Sequence, residues 1–239
     1  MAANLSEYEV PFQDTVLVGS RWTPRAAKRT ALLLHGGGTS SAAGFLALRT
    51  FLAAEGIETH TFDFIGHGRT GGTQLGTTLQ GRVQQVRAVV ESQELDPSTL
   101  TMVGFSMGAY VAAKAAIELD VARLCLAVPA AYAAQVYEVP FGPAFTHMLR
   151  TPRSWQGSDA FELVRNYTGH LLVISAEQDQ VVPAEIPHTY ALSSDKRAST
   201  VHHIVKGSGH KLNEHLKRDP NVRITAYDEI ASLCRRGDT

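Results

Sequence analysis

The sequence predicts an α/β protein, a mostly parallel sheet wound with helices on both faces. Short, continuous apolar runs alternate along the chain with stretches whose apolar residues recur at helical spacing. The runs are unbroken rather than alternating in polarity, as strands buried on both faces are. Several of them end in glycine-bearing loops, and the carboxyl ends of strands are where open parallel sheets collect a ligand site.

Residues 7–18 read as one or two β segments, with Pro11 breaking the run and Gly19 or Thr23-Pro24 ending it. Residues 31–34, Ala-Leu-Leu-Leu, form the first core strand, which closes in His35-Gly36-Gly37-Gly38. Ser40 or Ser41 can cap a helix running to about residue 54, with Phe45, Leu48 and Leu52 on one face and Gly56 as its stop. Residues 57–64 make a second core strand ending in Gly66-His67-Gly68, and 68–76 is a glycine-rich loop. Residues 79–95 are helical in pattern, with Val83, Val86, Val89 and Val90 on one side and Pro97 beyond the end. An apolar run at 99–103 leads through Gly104-Phe105-Ser106-Met107-Gly108 into a helix over 109–119. A strand at 121–128 stops at Pro129. Residues 130–169 break the rhythm, with Pro140, Pro143, Pro152, several aromatics and no clear strand. The pattern resumes with a strand at 171–175, a helix at 184–192 and a last strand at 199–205 ending in Gly207-Ser208-Gly209-His210. A final amphipathic helix covers about 221–233, with an earlier start near Asn213 and an interruption at Pro220 as the alternative.

With 239 residues and no internal repeat, the chain is expected to form one domain, 1–239, with 130–169 as an insertion. Its hydrophobic share of 44% and charged share of 19% are ordinary for a globular protein. A formal net charge of −1 gives no electrostatic case for nucleic acid or an anionic membrane surface. No apolar run approaches a membrane span, so no membrane insertion is expected. Residues 1–10 carry Glu7 and Glu9 and lack a charged-then-apolar signal pattern, so a cytoplasmic location is expected. Cys125 and Cys234 are too few and too distant for a disulfide framework or a metal pattern, and read as buried thiols.

Chemistry concentrates in the loops after strands. A strand, a G-x-S-x-G turn and a helix make a nucleophile elbow. So sharp a turn strains the serine backbone and brings the flanking chain close, leaving positions 104 and 108 room for little more than hydrogen. Its serine, Ser106, stands above the sheet edge. His35-Gly36-Gly37-Gly38 matches an HGGG-type oxyanion loop. Attack on an acyl carbonyl places a negative charge on oxygen, and each fixed backbone donor in a dry site is worth roughly 3 kcal/mol. The Gly37 and Met107 amides are the expected donors. Asp179, after the strand at 171–175, is the candidate acid, with Glu177 as competitor and a turn or capping aspartate as the plain alternative. The candidate base is His210. Of the other histidines, His35 reads as a hydrogen-bonded structural residue, His67 as part of a turn, His202 and His203 as strand residues, and His188 and His215 as helical ones. Asp63 precedes the serine and belongs to Asp63-Phe64-Ile65-Gly66-His67-Gly68.

The order Ser106, Asp179, His210, the elbow, the HGGG loop and the D-x-x-G-H-G turn together resemble a small α/β-hydrolase of the serine-esterase type. The resemblance covers nearly the whole chain and leaves 130–169 undefined. It implies an eight-stranded, mostly parallel sheet with an antiparallel edge near the N-terminus, and neither a metal nor an organic cofactor. The triple glycine is similar to that of the hormone-sensitive-lipase group, which usually carries an acidic residue where this chain has Phe105. The Gly-Phe-Ser-Met-Gly elbow is closer to monoglyceride lipases and feruloyl esterases. A serine nucleophile argues against haloalkane dehalogenase and epoxide hydrolase chemistry. The expected activity is hydrolysis of a small-molecule ester with an apolar acyl or aryl group through an acyl-enzyme, with 130–169 as a cap whose Tyr132, Phe141 and Phe145 bind substrate. Thioesterase, amidase, acyltransferase and C–C hydrolase or lyase chemistry on the same three residues are the rival readings, and a ligand-binding protein without catalysis is the remote one.

Overall fold

In a computed structural model of the protein, residues 4–193 and 199–237 are described, and eight strands among them form one sheet. They are β1 Asn4–Phe12, β2 Thr15–Thr23, β3 Arg29–Leu34, β4 Ile57–Phe62, β5 Leu100–Phe105, β6 Arg123–Ala127, β7 His170–Ala176 and β8 Thr200–Val205. The helices are α1 Leu46–Ala54, α2 Leu79–Ser92, α3 Met107–Glu118, α4 Pro143–Arg150, α5 Ala160–Asn166, α6 Glu185–Ser193, α7 Leu212–Arg218 and α8 Pro220–Arg235. Sheet order is β1-β2-β4-β3-β5-β6-β7-β8, with β2 antiparallel to both β1 and β4 and every other pairing parallel. This is the α/β-hydrolase fold that the motif order implied.

Helices cover both faces because the central strands are apolar on both. Leu32 and Leu34 of β3 face a core shared with α2, α3, α5 and α6, while Ala31 and Leu33 face one shared with α1, α7 and α8. Cys125 and Cys234 are free and buried in the second core. Among the described residues, no helix is long and apolar enough to cross a membrane.

The order also explains where a site can form. From β3 the chain steps to β4 on one side and then to β5 on the other, so the crevice between β3 and β5 is a topological switch point. Leu34 pairs with Gly104, which sets the loop after β3 beside the turn after β5.

Two local expectations are corrected and one alternative is decided. Pro11 does not break the first β run: it lies inside β1, paired with Val16, and the turn falls at Gln13 and Asp14. An edge strand has one side free of ladder bonds, so it tolerates a residue without an N–H. Neither Ser40 nor Ser41 caps the following helix by its side chain. A 3₁₀ turn, Ala42–Phe45, precedes α1, and the Ala42 N–H is accepted instead by Asp63 Oδ1 at 2.7 Å. The last helical stretch takes the alternative form, an earlier start and an interruption at Pro220 that leaves two helices. Asp219 Oδ1 accepts the Asn221 and Val222 N–H groups, and Pro220 opens α8 as a first-turn residue.

Candidate active site

Ser106 has φ +53° and ψ −118°, a left-handed backbone for a residue with a side chain. The strain is imposed by two close approaches. A Cβ on Gly104 would stand 2.2 Å from Gly108 O, and one on Gly108 would stand 2.4 Å from His35 O and 2.5 Å from Leu34 O. These are backbone atoms, so no rotamer change relieves them. Gly108→Ala should therefore cost about 3 kcal/mol, lowering the thermal midpoint by roughly 6–12 °C. Gly44→Ala, whose nearest neighbour is 3.9 Å away, should leave the midpoint nearly unchanged. Equal midpoints for the two variants in a thermal melt would remove the packing account of the elbow.

The Ser106 hydroxyl lies 2.9 Å from His210 Nε2, and His210 Nδ1 lies 2.8 Å from Asp179 Oδ2. Donation from Nδ1–H to a carboxylate leaves the Nε2 lone pair facing the serine. Asp179 follows β7 and is anchored by its other oxygen, which accepts the Val181 and Val182 N–H groups at 2.9 Å each. Its side chain is 8% exposed and that of His210 is 17% exposed, so the pair is shielded without being sealed from water. Glu177 points elsewhere and accepts the Gly207 N–H at 2.8 Å. That bond, with Gln178 N–H donating to Ser208 O, ties the loop after β7 to the loop carrying His210.

Gly36 and Gly37 cover the elbow. A Cβ on Gly36 would lie 3.2 Å from Ser106 Cβ, and one on Gly37 would lie 3.4 Å from Met107 Sδ. His35 fixes the peptide between them: its Nδ1–H donates to Gly36 O at 2.7 Å, and its Nε2 accepts the Phe64 N–H at 3.1 Å. In a trans peptide the C=O and the next N–H point in opposite directions. Holding Gly36 O toward the imidazole therefore turns the Gly37 N–H away from it. Burial pushes the His35 pKa down to about 4, so the ring stays neutral and keeps both roles. Asp63 binds the Ala42 and Arg69 N–H groups, a structural duty at the base of the same loops.

The segment between β6 and β7 starts at Val128, whose φ of +41° is costly for a β-branched residue. Two residues on, the Ala130 N–H donates to Ser106 O at 3.2 Å. The aromatics of this segment fall into two groups. Tyr132 packs edge-on against Tyr110 of α3, at 5.0 Å between ring centroids, and near Phe145, which in turn packs on Phe141 at 4.6 Å. Trp155 and Phe161 pack instead toward Tyr190 of α6. Tyr137 joins the first group at Tyr110, with the Lys114 ammonium 4.3 Å from its ring centroid.

Sequence reasoning missed Tyr110, one helical turn past the serine, and Arg82, buried beside Phe64 and Phe141. A signal for Arg82 existed, since it sits on the apolar stripe of α2 between Leu79 and Val86 at i+3 and i−4. Among the described residues, no group of three or more His, Cys, Asp or Glu is placed to hold a metal ion.

A family model described as the alpha/beta hydrolase family matches residues 31–153, just over half of the chain. No curated protein matches the sequence. Solved structures match at low identity over nearly full length. Est1E from Butyrivibrio proteoclasticus with ferulic acid bound shares 21% identity over 94% of this chain and 99% of that one, with a TM-score of 0.69. The esterase EaEST from Exiguobacterium antarcticum shares 18% over 95% and 99%, with a TM-score of 0.72. A thioesterase domain from the curacin biosynthetic pathway shares 17% over 98% and 100%, with a TM-score of 0.68. At these identities the likeness is one of fold.

Proposed function

This chain belongs to the alpha/beta hydrolase family, and from that premise we propose that it is a serine carboxylesterase using Ser106, His210 and Asp179 as a triad. The observation that carries the reading is the continuous bond line from Asp179 through His210 to a serine held in a left-handed backbone. His210 Nε2 takes the Ser106 proton as the oxygen attacks the ester carbonyl. The Gly37 and Met107 amides stabilise the oxyanion. Neither N–H has another acceptor among the described residues, and the His35 bond to Gly36 O supports the orientation of the first. His210 then protonates the departing alkoxide, and the alcohol leaves. A water, deprotonated by the same nitrogen, attacks the acyl-enzyme; the carboxylic acid departs and the serine regains its proton. Asp179 holds the imidazole in the required tautomer and stabilises its charged form throughout.

In this reading residues 1–239 form one domain with 130–169 as its cap, and Tyr132, Phe141 and Phe145 line an apolar pocket for the acyl or aryl group. Their support is position: the cluster stands on Tyr110, one turn beyond the nucleophile, and is joined to it through the Ala130–Ser106 bond.

Fluorophosphonate should label wild-type protein at Ser106, and the Ser106→Ala variant should stay unlabelled. Alcohol release from simple esters should exceed thiol release from acyl-CoA of the same chain length. An unlabelled wild-type protein would end the hydrolase reading, and faster thioester cleavage would change the leaving group. Phe145→Ala should shift the rate ratio of long to short acyl esters by about tenfold, the scale of one or two methylenes in an apolar pocket. An unchanged ratio in Phe145→Ala, Phe141→Ala and Tyr132→Ala alike would make the cluster a packing core only.

A further inference from the structure

Among the described residues, three arginines are buried, and one of them is bonded differently from the others. Arg49 uses Nε, Nη1 and Nη2 on Ser20 and Thr59, and Arg123 uses all three nitrogens on the carbonyls of Thr99 and Arg236. Arg82 is 0% exposed, yet its Nε and Nη1 have no hydrogen-bond partner. Its guanidinium carbon lies 4.9 Å from the ring centroid of Phe64 and 5.0 Å from that of Phe141. Burial lowers its pKa to about 10, so it remains a cation near neutral pH. Among the described residues no carboxylate bonds to it. Two aromatic faces offset part of the charge, but an apolar side chain would fill such a slot at lower cost. What an apolar side chain cannot supply is the one bond Arg82 makes, from Nη2 to His67 Nε2 at 3.1 Å.

That bond has a direction. A guanidinium only donates, so His67 Nε2 must carry a lone pair and the ring proton must sit on Nδ1. Nδ1–H donates to Ser40 O at 2.8 Å, and the Ser40 N–H donates to Gly37 O at 3.2 Å. The His67 ring also packs 4.6 Å from the His35 ring, the one that holds Gly36 O. Burial, with Arg82 acting in the same sense, holds the His67 pKa below its ordinary value; Asp63 and the Ser40 bond act against them. Arg82 thus stands at the far end of a line of contacts that reaches the peptides on both sides of the Gly37 α-carbon, one at Gly36 O and the next at Gly37 O.

We propose that Arg82 is a positioning residue for the oxyanion hole, which acts by fixing the tautomer and seat of His67 and through it the loop that carries the Gly37 amide. This rests on the reading of Gly37 as an oxyanion donor. Losing such a donor outright slows turnover about 10²–10³-fold; misaligning it should cost less.

The test uses the full chain. Arg82→Met keeps the length and the contacts with Phe64 and Phe141 and removes the charge and the donor. Its kcat on a short ester should fall about 10–100-fold with KM within about twofold, the signature of a contact made in the transition state alone. Affinity for a trifluoromethyl ketone, which forms the tetrahedral oxyanion on Ser106, should fall in proportion. Arg82→Lys should recover part of both. The double variant Arg82→Met/His67→Gln should be no slower than the worse single one, because the two residues act along one line. Unchanged kcat and ketone affinity in Arg82→Met, or a rise confined to KM, would overturn the proposal. Should Arg82→Met not fold, His67→Gln decides: a loss confined to kcat supports the line of contacts, and wild-type kcat refutes it. Failure of wild-type Ser106 to label with fluorophosphonate would end the esterase reading and this inference together. Normal labelling with a fully active Arg82→Met would end this inference alone.

Discussion

Ser106→Ala and His210→Ala are each expected to lower ester turnover by about 10⁶-fold, and the double variant is expected to lose no more than either one. The reason is geometric. In the proposed mechanism the hydroxyl proton leaves across the 2.9 Å contact between Ser106 Oγ and His210 Nε2, so deleting either end removes the same step. Steady-state assay of the three variants checks this, with product formed by an acyl-enzyme-independent route as the background. Losses that multiply would mean that serine and histidine act separately. The fold should survive, because neither side chain belongs to the two cores.

Asp179→Asn should lower turnover by about 10⁴-fold while leaving the thermal midpoint nearly unchanged. Asp179 Oδ1 accepts the Val181 and Val182 N–H groups, and an asparagine carbonyl can keep those bonds. The amide NH₂ then replaces Oδ2 in front of His210 Nδ1. A donor facing Nδ1 forces the proton onto Nε2, where it meets the serine hydroxyl and blocks proton removal. Glu177→Gln is the control, since the neutral isostere can keep the Gly207 N–H bond and gives up only an exposed 4.0 Å contact with Lys206. Full activity in Asp179→Asn with a dead Glu177→Gln, read in one ester assay, would move the acid to the other carboxylate.

Together with the Gly108, cap-aromatic and Arg82 variants, these experiments separate what holds the elbow from what uses it. Val128 invites the same treatment. Its left-handed backbone lies where β6 ends beside the serine turn, and strained residues gather at such places.

Much of the fold was legible because its determinants are local. Continuous apolar runs marked β3, β5, β6 and β7, and a strand buried on both faces has no other way to look in sequence. The elbow was legible because its two glycines answer to backbone contacts a few residues away or one strand over. The order serine, acid, histidine selected Asp179 and His210 from a crowded field, since each follows a strand end and the sheet gathers strand ends along one edge. Helix starts were less legible: the Ala42 cap comes from Asp63, a residue on another loop. Pro11 was misjudged because propensity does not say which strand lies at the edge. The aromatics of residues 130–169 could be listed but not sorted; only packing put Phe145 with Tyr132 and Phe161 with Tyr190. Arg82 is the clearest case. In sequence it is one more cation in a helix, and burial between Phe64 and Phe141 with a single bond to His67 is a property of α2, the loop after β4 and residues 130–169 meeting in space. The sequence alone determined the chain's strands, its turn chemistry and the serine at the sharp turn after β5, because those depend on neighbours along the chain. Tertiary structure alone decided which side chains bond to one another around that serine, because those bonds join segments that no local pattern connects.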